Sequence, residues 1–196
     1  MRRRKSGGFM LSLLAVAFQF CGFYSIAKAE TIIEEGYISG NWSKSNQPYI
    51  INGHITLKAG DKLTIEPGVN VIFSNNYLLK AYGTLVAVGT ASDSIRFTAS
   101  DQTAGWGGIR FFGATNQDTS KLAYCILEYG KANISGSDYG KHGGAIYCTQ
   151  HQKITISHCL IQKCTSYAEG GGFYAYGSAI RMSDTVIKEN RAYTNH

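Results

Sequence analysis

Between residues 49 and 98 the chain runs in short stretches that alternate apolar and polar positions. They are Tyr49-Ile50-Ile51, His54-Ile55-Thr56-Leu57, Leu63-Thr64-Ile65, Val69–Phe73, Tyr77–Ala81, Gly83–Ala87 and Ile95–Thr98. Alternation with a period of two predicts strands whose side chains point to opposite faces. Asn52-Gly53, Ala59-Gly60-Asp61, Pro67-Gly68, Ser74-Asn75-Asn76 and Gly89-Thr90 separate them and predict tight turns. No stretch after residue 30 shows the i, i+3, i+4, i+7 spacing of an amphipathic helix.

The alternation continues as a repeat. Gly143-Gly144-Ala145-Ile146-Tyr147-Cys148 returns one unit on as Gly170-Gly171-Gly172-Phe173-Tyr174-Ala175. Ile154-Thr155-Ile156-Ser157-His158-Cys159 returns at nearly the same interval as Ile180-Arg181-Met182-Ser183-Asp184-Thr185. Gly107–Phe111 and Leu122–Gly130 match the two halves of the unit earlier in the chain. A unit this short, with strands and no helix, buries its apolar face only by stacking on its neighbours. The expectation is an all-β, right-handed parallel β-helix of roughly five coils, with like positions piled into columns. The glycine pairs stand where the chain turns into a strand and predict a positive φ or a close approach. Gly130, Cys164 and Asn190 share one position and predict a turn ladder there, since Asn tolerates the left-handed region. Residues 99–106 and 131–142 are polar; the second widens the gap between Ile109 and Ile146 beyond one unit and predicts a loop leaving the solenoid.

Residues 1–29 carry Arg2-Arg3-Arg4-Lys5, an apolar run Phe9–Phe20 and Ala27-Lys28-Ala29 before Glu30. That is the layout of a cleaved signal peptide, and it predicts export to the cell surface or the outside. The apolar run is short for a membrane-spanning helix. This segment holds five of the 19 basic residues and none of the 13 acidic ones. The remainder is therefore close to neutral, 14 against 13, which argues against nucleic acid as a partner. Residues 30–48 are expected as a lead-in that caps the open end of the stack, and 49–196 as the repeat domain. One further unit on from Gly170 reaches His196, so the repeat breaks off as its next glycine turn begins, which predicts an incomplete β-helix.

Pro48–Leu57, Ala59–Val69, Gly83–Thr90 and Trp106–Phe111 together resemble the N-terminal half of secreted bacterial right-handed β-helix repeat proteins. Gly143-Gly144-Ala145-Ile146 and Ile187-Lys188-Glu189-Asn190 are similar to the GGAI and FxxN repeats of polymorphic outer membrane proteins, with Ile187 standing where Phe is usual. The resemblance covers roughly residues 36–196. It implies surface exposure and adhesion or glycan contact, with some β-helix relatives acting as polysaccharide lyases or hydrolases.

Aligned repeats place Arg110, Tyr147 and Tyr174 in one outward column, a candidate surface for sugar faces or a partner protein. Tyr124, His158 and Asp184 form a second, where His158 beside Asp184 has the makings of a carboxylate-oriented base. The acids Asp93, Asp101, Asp118, Glu128, Asp138 and Glu169 are scattered, with only Glu128 in a predicted strand, and show no calcium cluster. Cys125 and Cys159 share a column with Thr185, and packed thiols are expected rather than disulfides. His54, His142, His151 and His196 have no metal-ligand spacing, and no Cys-x-x-Cys occurs. No cofactor or metal is expected. The reading is a non-catalytic scaffold for a polysaccharide or a cell-surface protein, with a polysaccharide lyase or glycoside hydrolase as the alternative.

Overall fold

The computed structural model describes residues 30–113, 119–134, 138–150 and 153–193. The segment read as a signal peptide lies outside them, as do His151 and His196.

Strands wind round three faces. The first holds Thr31–Ile33, Tyr49–Ile51, Asn70–Phe73, Ile95–Ala99, Cys125–Glu128, Leu160–Gln162 and Val186–Lys188. The second holds Gly36–Tyr37, Ile55–Leu57, Leu79–Ala81, Ile109–Phe111, Ile146–Thr149 and Phe173–Tyr176. The third holds Gly40–Trp42, Lys62–Ile65, Thr84–Val88, Ser120–Ala123, Ile154–Ser157 and Ile180–Ser183. Lys131–Ala132, Thr165–Ser166 and Arg191–Ala192 add a short fourth sheet in the later turns. Every described strand pairing is parallel, so this is a right-handed parallel β-helix. Short 3-10 turns at Lys44–Asn46 and Asp138–Gly140 are the helical elements among the described residues.

Turn length varies widely. On the first face Thr31 pairs with Tyr49, Tyr49 with Val71, Val71 with Phe97, Phe97 with Leu127, Leu127 with Ile161 and Ile161 with Ile187. Successive turns therefore lengthen steadily up to the one from Leu127 to Ile161, and the next is shorter again. The stack holds six turns and the start of a seventh, against roughly five expected. The difference arises because residues 30–48 form a complete first turn, with strands on all three faces.

Alternation sorts the side chains. Ile55, Leu79, Ile109 and Ile146 pile inward on the second face, with Leu57, Ala81, Phe111 and Cys148 beside them. The third face contributes Leu63, Leu85, Leu122 and Ile156, all fully buried. Trp106 fills the wide fourth turn. Its ring stacks 4.5 Å from Phe73 and 6.2 Å from Phe97, and its indole N–H donates to the Glu128 carbonyl at 2.8 Å. Gly143 and Gly170, the repeated glycines, have φ of +62° and +69°. A Cβ on either would lie 2.1–2.3 Å from the carbonyl oxygen of Ile146 or Phe173. Only glycine meets both constraints.

The corners use non-glycine residues. Tyr124, His158 and Asp184 turn the chain from third face to first with φ of 49°, 53° and 48°. Tyr129, Lys163 and Glu189 turn it into the fourth sheet with φ of 59°, 54° and 55°. The second column corrects the turn ladder expected at Gly130, Cys164 and Asn190: the left-handed residue is the one before. A left-handed conformation costs a non-glycine residue roughly 1–2 kcal/mol. Where the next residue carries a side chain, that side chain offsets the cost by pairing with main chain. Asn190 Oδ1 accepts from the Cys164 N–H at 2.9 Å, and its Nδ2 donates to the Ile161 carbonyl at 2.9 Å. Cys164 and Cys159 Sγ accept from the N–H groups of Gly130 and Cys125, each at 3.4 Å, and Thr185 Oγ1 accepts from Cys159 N–H at 3.4 Å. One turn thus satisfies the corner of the turn beneath it.

The described parts of the 131–142 stretch lie against the solenoid: Lys131–Ala132 pairs into the fourth sheet, and Tyr139 packs edge-on against Phe112 at 5.4 Å.

Ile156 and Met182 occupy one column on neighbouring turns, with Ile156 fully buried and Met182 38 % exposed at the end of the described stack. Ile156→Ala is expected to cost about 2–5 kcal/mol in urea unfolding. Met182→Ala is expected to cost about 1 kcal/mol or less.

Candidate functional site

On the second face Lys80, Arg110, Tyr147 and Tyr174 stand in register. The Tyr147 and Tyr174 rings lie parallel within 10°, centroids 5.6 Å apart, and His142 sits 4.6 Å from Tyr174. With Thr149 and Tyr176 they line a shallow cleft of about 320 Å³. Tyr176 is largely exposed, Tyr174 half-buried and Tyr147 only 8 % exposed.

Arg110 belongs to the column but not to the surface. Its side chain is fully buried, and Nη1 donates to the Gly143 carbonyl at 2.6 Å. Nε and Nη2 have no hydrogen-bond partner among the described residues. The Gly143 carbonyl caps the guanidinium, and close by Tyr139 lies against Phe112 and 5.9 Å from the Lys80 ammonium. Burial pulls the guanidinium pKa down to about 9.

The second predicted column is brought together as well. Tyr124 stacks on His158, centroids 4.6 Å apart and planes 19° from parallel. His158 Nε2 lies 3.8 Å from Asp184 Oδ2, with both side chains substantially exposed. That distance exceeds the roughly 2.6–3.2 Å reach of a catalytic hydrogen bond. At this exposure the pair is worth at most about 1 kcal/mol. The left-handed corner aims all three side chains outward, where they line a shallow, open cleft of about 370 Å³.

Three of the candidate acids, Glu128, Asp93 and Asp101, are engaged structurally. Glu128 on the first face is bound by Arg96 Nη1, by Thr98 Oγ1 at 3.3 Å and by Gln162 Nε2 at 3.0 Å. Asp93 pairs with Lys44 at 2.9 Å. The Asp101 carboxylate accepts from the Thr103 and Ala104 N–H groups at 2.7 and 3.2 Å, as a turn Asp does. Asp118 lies outside the described residues. Cys125, Cys148, Cys159 and Cys164 are buried free thiols, and burial pushes the Cys164 thiol up to about 12. Cys159 and Cys164 bridge corners, and Cys148 lies in the core beside Phe111. Among the described residues no helix is long and apolar enough to cross a membrane, and no cluster of three or more metal-ligating side chains occurs.

A family model described as a pectate-lyase-like β-helix domain matches residues 38–151, from the first turn to the end of the second-face strand that carries Tyr147. The chain belongs to that family. Over 63 residues, 32 % of its length, this pectate-lyase-like β-helix is 38 % identical to Protein bark beetle of Drosophila melanogaster. It spans only 2 % of that relative's length. No solved structure matches.

Some surface residues of this β-helix were not singled out by sequence reasoning. His142 and Tyr176 complete the tyrosine cleft, and Tyr129 and Lys163 form an outward corner column. Tyr129 and Lys163 each precede a position that the repeat alignment had already equated, so extending it by one residue finds them. His142 and Tyr176 lie at the margins of the repeat and give no such signal.

Arg110→Met is expected to leave stability at pH 7 unchanged or to raise it by up to about 1–4 kcal/mol, as when other buried charges give way to apolar chains of similar volume. The native group sits at about 9, well below the ordinary guanidinium value that the unfolded chain keeps. Between these values the unfolded chain binds the extra proton, so wild-type stability rises as pH climbs past about 9. Urea titrations on either side of that value are expected to show the rise in wild type and a smaller one in the variant.

Proposed function

We propose that the chain is an exported, non-catalytic β-helix scaffold that recognises a glycan or a cell-surface protein through its outward columns. The observation that carries this reading is the parallel Tyr147–Tyr174 pair with His142 beside it. Flat rings held at fixed spacing by a rigid sheet offer apolar area with hydroxyls at the edge, and little side-chain entropy is lost on binding. The family description keeps polysaccharide in view as the ligand class. Asp93, Glu128 and Asp101, engaged with Lys44, with Arg96 and Gln162, and with turn amides, support recognition over hydrolysis. The likeness of the glycine-turn repeats to polymorphic outer membrane proteins and the signal-peptide layout of residues 1–29 support a surface location.

A glycan array of the secreted chain, paired with a polysaccharide-degradation assay, tests the reading. Binding without released oligosaccharide is expected, and Tyr174→Ala should weaken it about three- to tenfold, as loss of one aromatic contact does. Release of unsaturated or reducing oligosaccharides would show an enzyme instead.

A further inference from the structure

A different cleft lies at the corner between the first face and the fourth sheet. It has a volume of about 360 Å³ and is lined by Tyr129, Lys131, Lys163, Thr165, Tyr167 and Tyr193, with Gln102 and Thr103 at its rim. The fold builds it from two columns. Tyr129 and Lys163 are the left-handed corner residues of successive turns, so both side chains project outward. Lys131, Thr165 and Arg191 form the in-register floor of the fourth sheet. Tyr167 and Tyr193, one turn apart, stand 6.1 Å from each other along the opposite wall.

The chemistry is aromatic walls with cations between them. The Lys163 ammonium lies 5.6 Å from the Tyr129 ring and 3.5 Å from its hydroxyl. The Arg191 guanidinium sits 4.5 Å from the Tyr193 ring. Lys131 Nζ donates to the Thr103 carbonyl at 3.0 Å, which leaves two of its three donors for other partners. The bordering acids are turned to other work. Asp101 takes backbone N–H groups, and Glu189, next in the corner column, lies 3.6 Å from Lys188. Two cations, Lys131 and Lys163, thus line the cleft with three tyrosines, and Arg191 stands behind Tyr193, with no carboxylate paired to those cations among the described residues.

We infer that this cleft binds an anionic saccharide, with Lys131 and Lys163 taking the carboxylate or sulfate and the tyrosines packing against sugar faces. The volume lies in the usual range for a small-ligand site. Arg and Lys donors suit carboxylate and sulfate oxygens. The near-neutral charge of residues 30–196, 14 basic against 13 acidic, gives no broad positive field of the kind that long nucleic acids need. The cleft is separate from the Tyr147–Tyr174 column, so the inference stands whether or not that column binds anything.

The test is calorimetric titration of the full secreted chain with three tetrasaccharides: one from hyaluronan (carboxylate), one from heparin (sulfate) and neutral chitotetraose. An anionic tetrasaccharide is expected to bind more tightly than the neutral one, and to weaken as salt is raised. Lys163→Gln and Tyr193→Ala should each weaken it about three- to tenfold at unchanged melting temperature, while Tyr174→Ala should leave it intact. Equal affinity for the neutral sugar, indifference to both cleft variants, no binding at millimolar ligand, or tighter binding of a single-stranded oligonucleotide of equal charge would each overturn it. Failure of Tyr174→Ala to affect any glycan, with cleft binding retained, would count against the aromatic column alone.

Discussion

Each turn of this chain must lay its backbone N–H and C=O groups against those of the turn before it, in register. Everything else follows from that pairing. The turn from Thr31 to Tyr49 is little more than half as long as the one from Leu127 to Ile161. Yet Ile109 finds Ile146 and Ile146 finds Phe173 as readily as Ile55 finds Leu79. Strands cannot absorb the difference, because a one-residue slip would turn their apolar side chains to solvent. Corners and loops absorb it instead. The left-handed residues at 124, 158 and 184, and at 129, 163 and 189, rotate the chain in a single step. The side chains of Cys159, Cys164, Thr185 and Asn190, each directly after such a residue, accept the N–H of the corner one turn below.

Stacking also determines what kind of surface the protein can present. A residue chosen on one turn stands about 4.8 Å from its counterpart on the next. Outward positions therefore act as columns, and a ligand with its own repeat can meet several of them at once. Tyr147 and Tyr174 show this on the second face, and Tyr129 with Lys163 shows it at a corner. Arg110 stands in register with Lys80 and Tyr147, but its side chain is buried and donates to the Gly143 carbonyl.

The fold was legible because alternation and repeat agree at every level. The strands read between residues 49 and 98 match those observed to within two residues at each start and one at each end. The Ile109, Ile146 and Phe173 column stands as aligned. Two things were not legible. Residues 30–48 vary too much in polarity to announce a turn, since their strands are only two or three residues long. The placement of Tyr139 against Phe112 is a contact between segments that share no pattern. Site residues followed the same division. Those inside the repeat could be aligned, whereas His142 and Tyr176 gain their neighbours only when the turns close.

In-register stacking is tested most directly by electron paramagnetic resonance on pairs of spin labels carried by bioorthogonal residues at 121, 155 and 181. These outward positions form one column on the third face. The 121/155 and 155/181 pairs should give strong dipolar broadening, with backbones about 4.8 Å apart, and the 121/181 pair weaker broadening at about 10 Å. Broadening that is absent for either neighbouring pair, or strongest for 121/181, would contradict the column and with it the account of the surface.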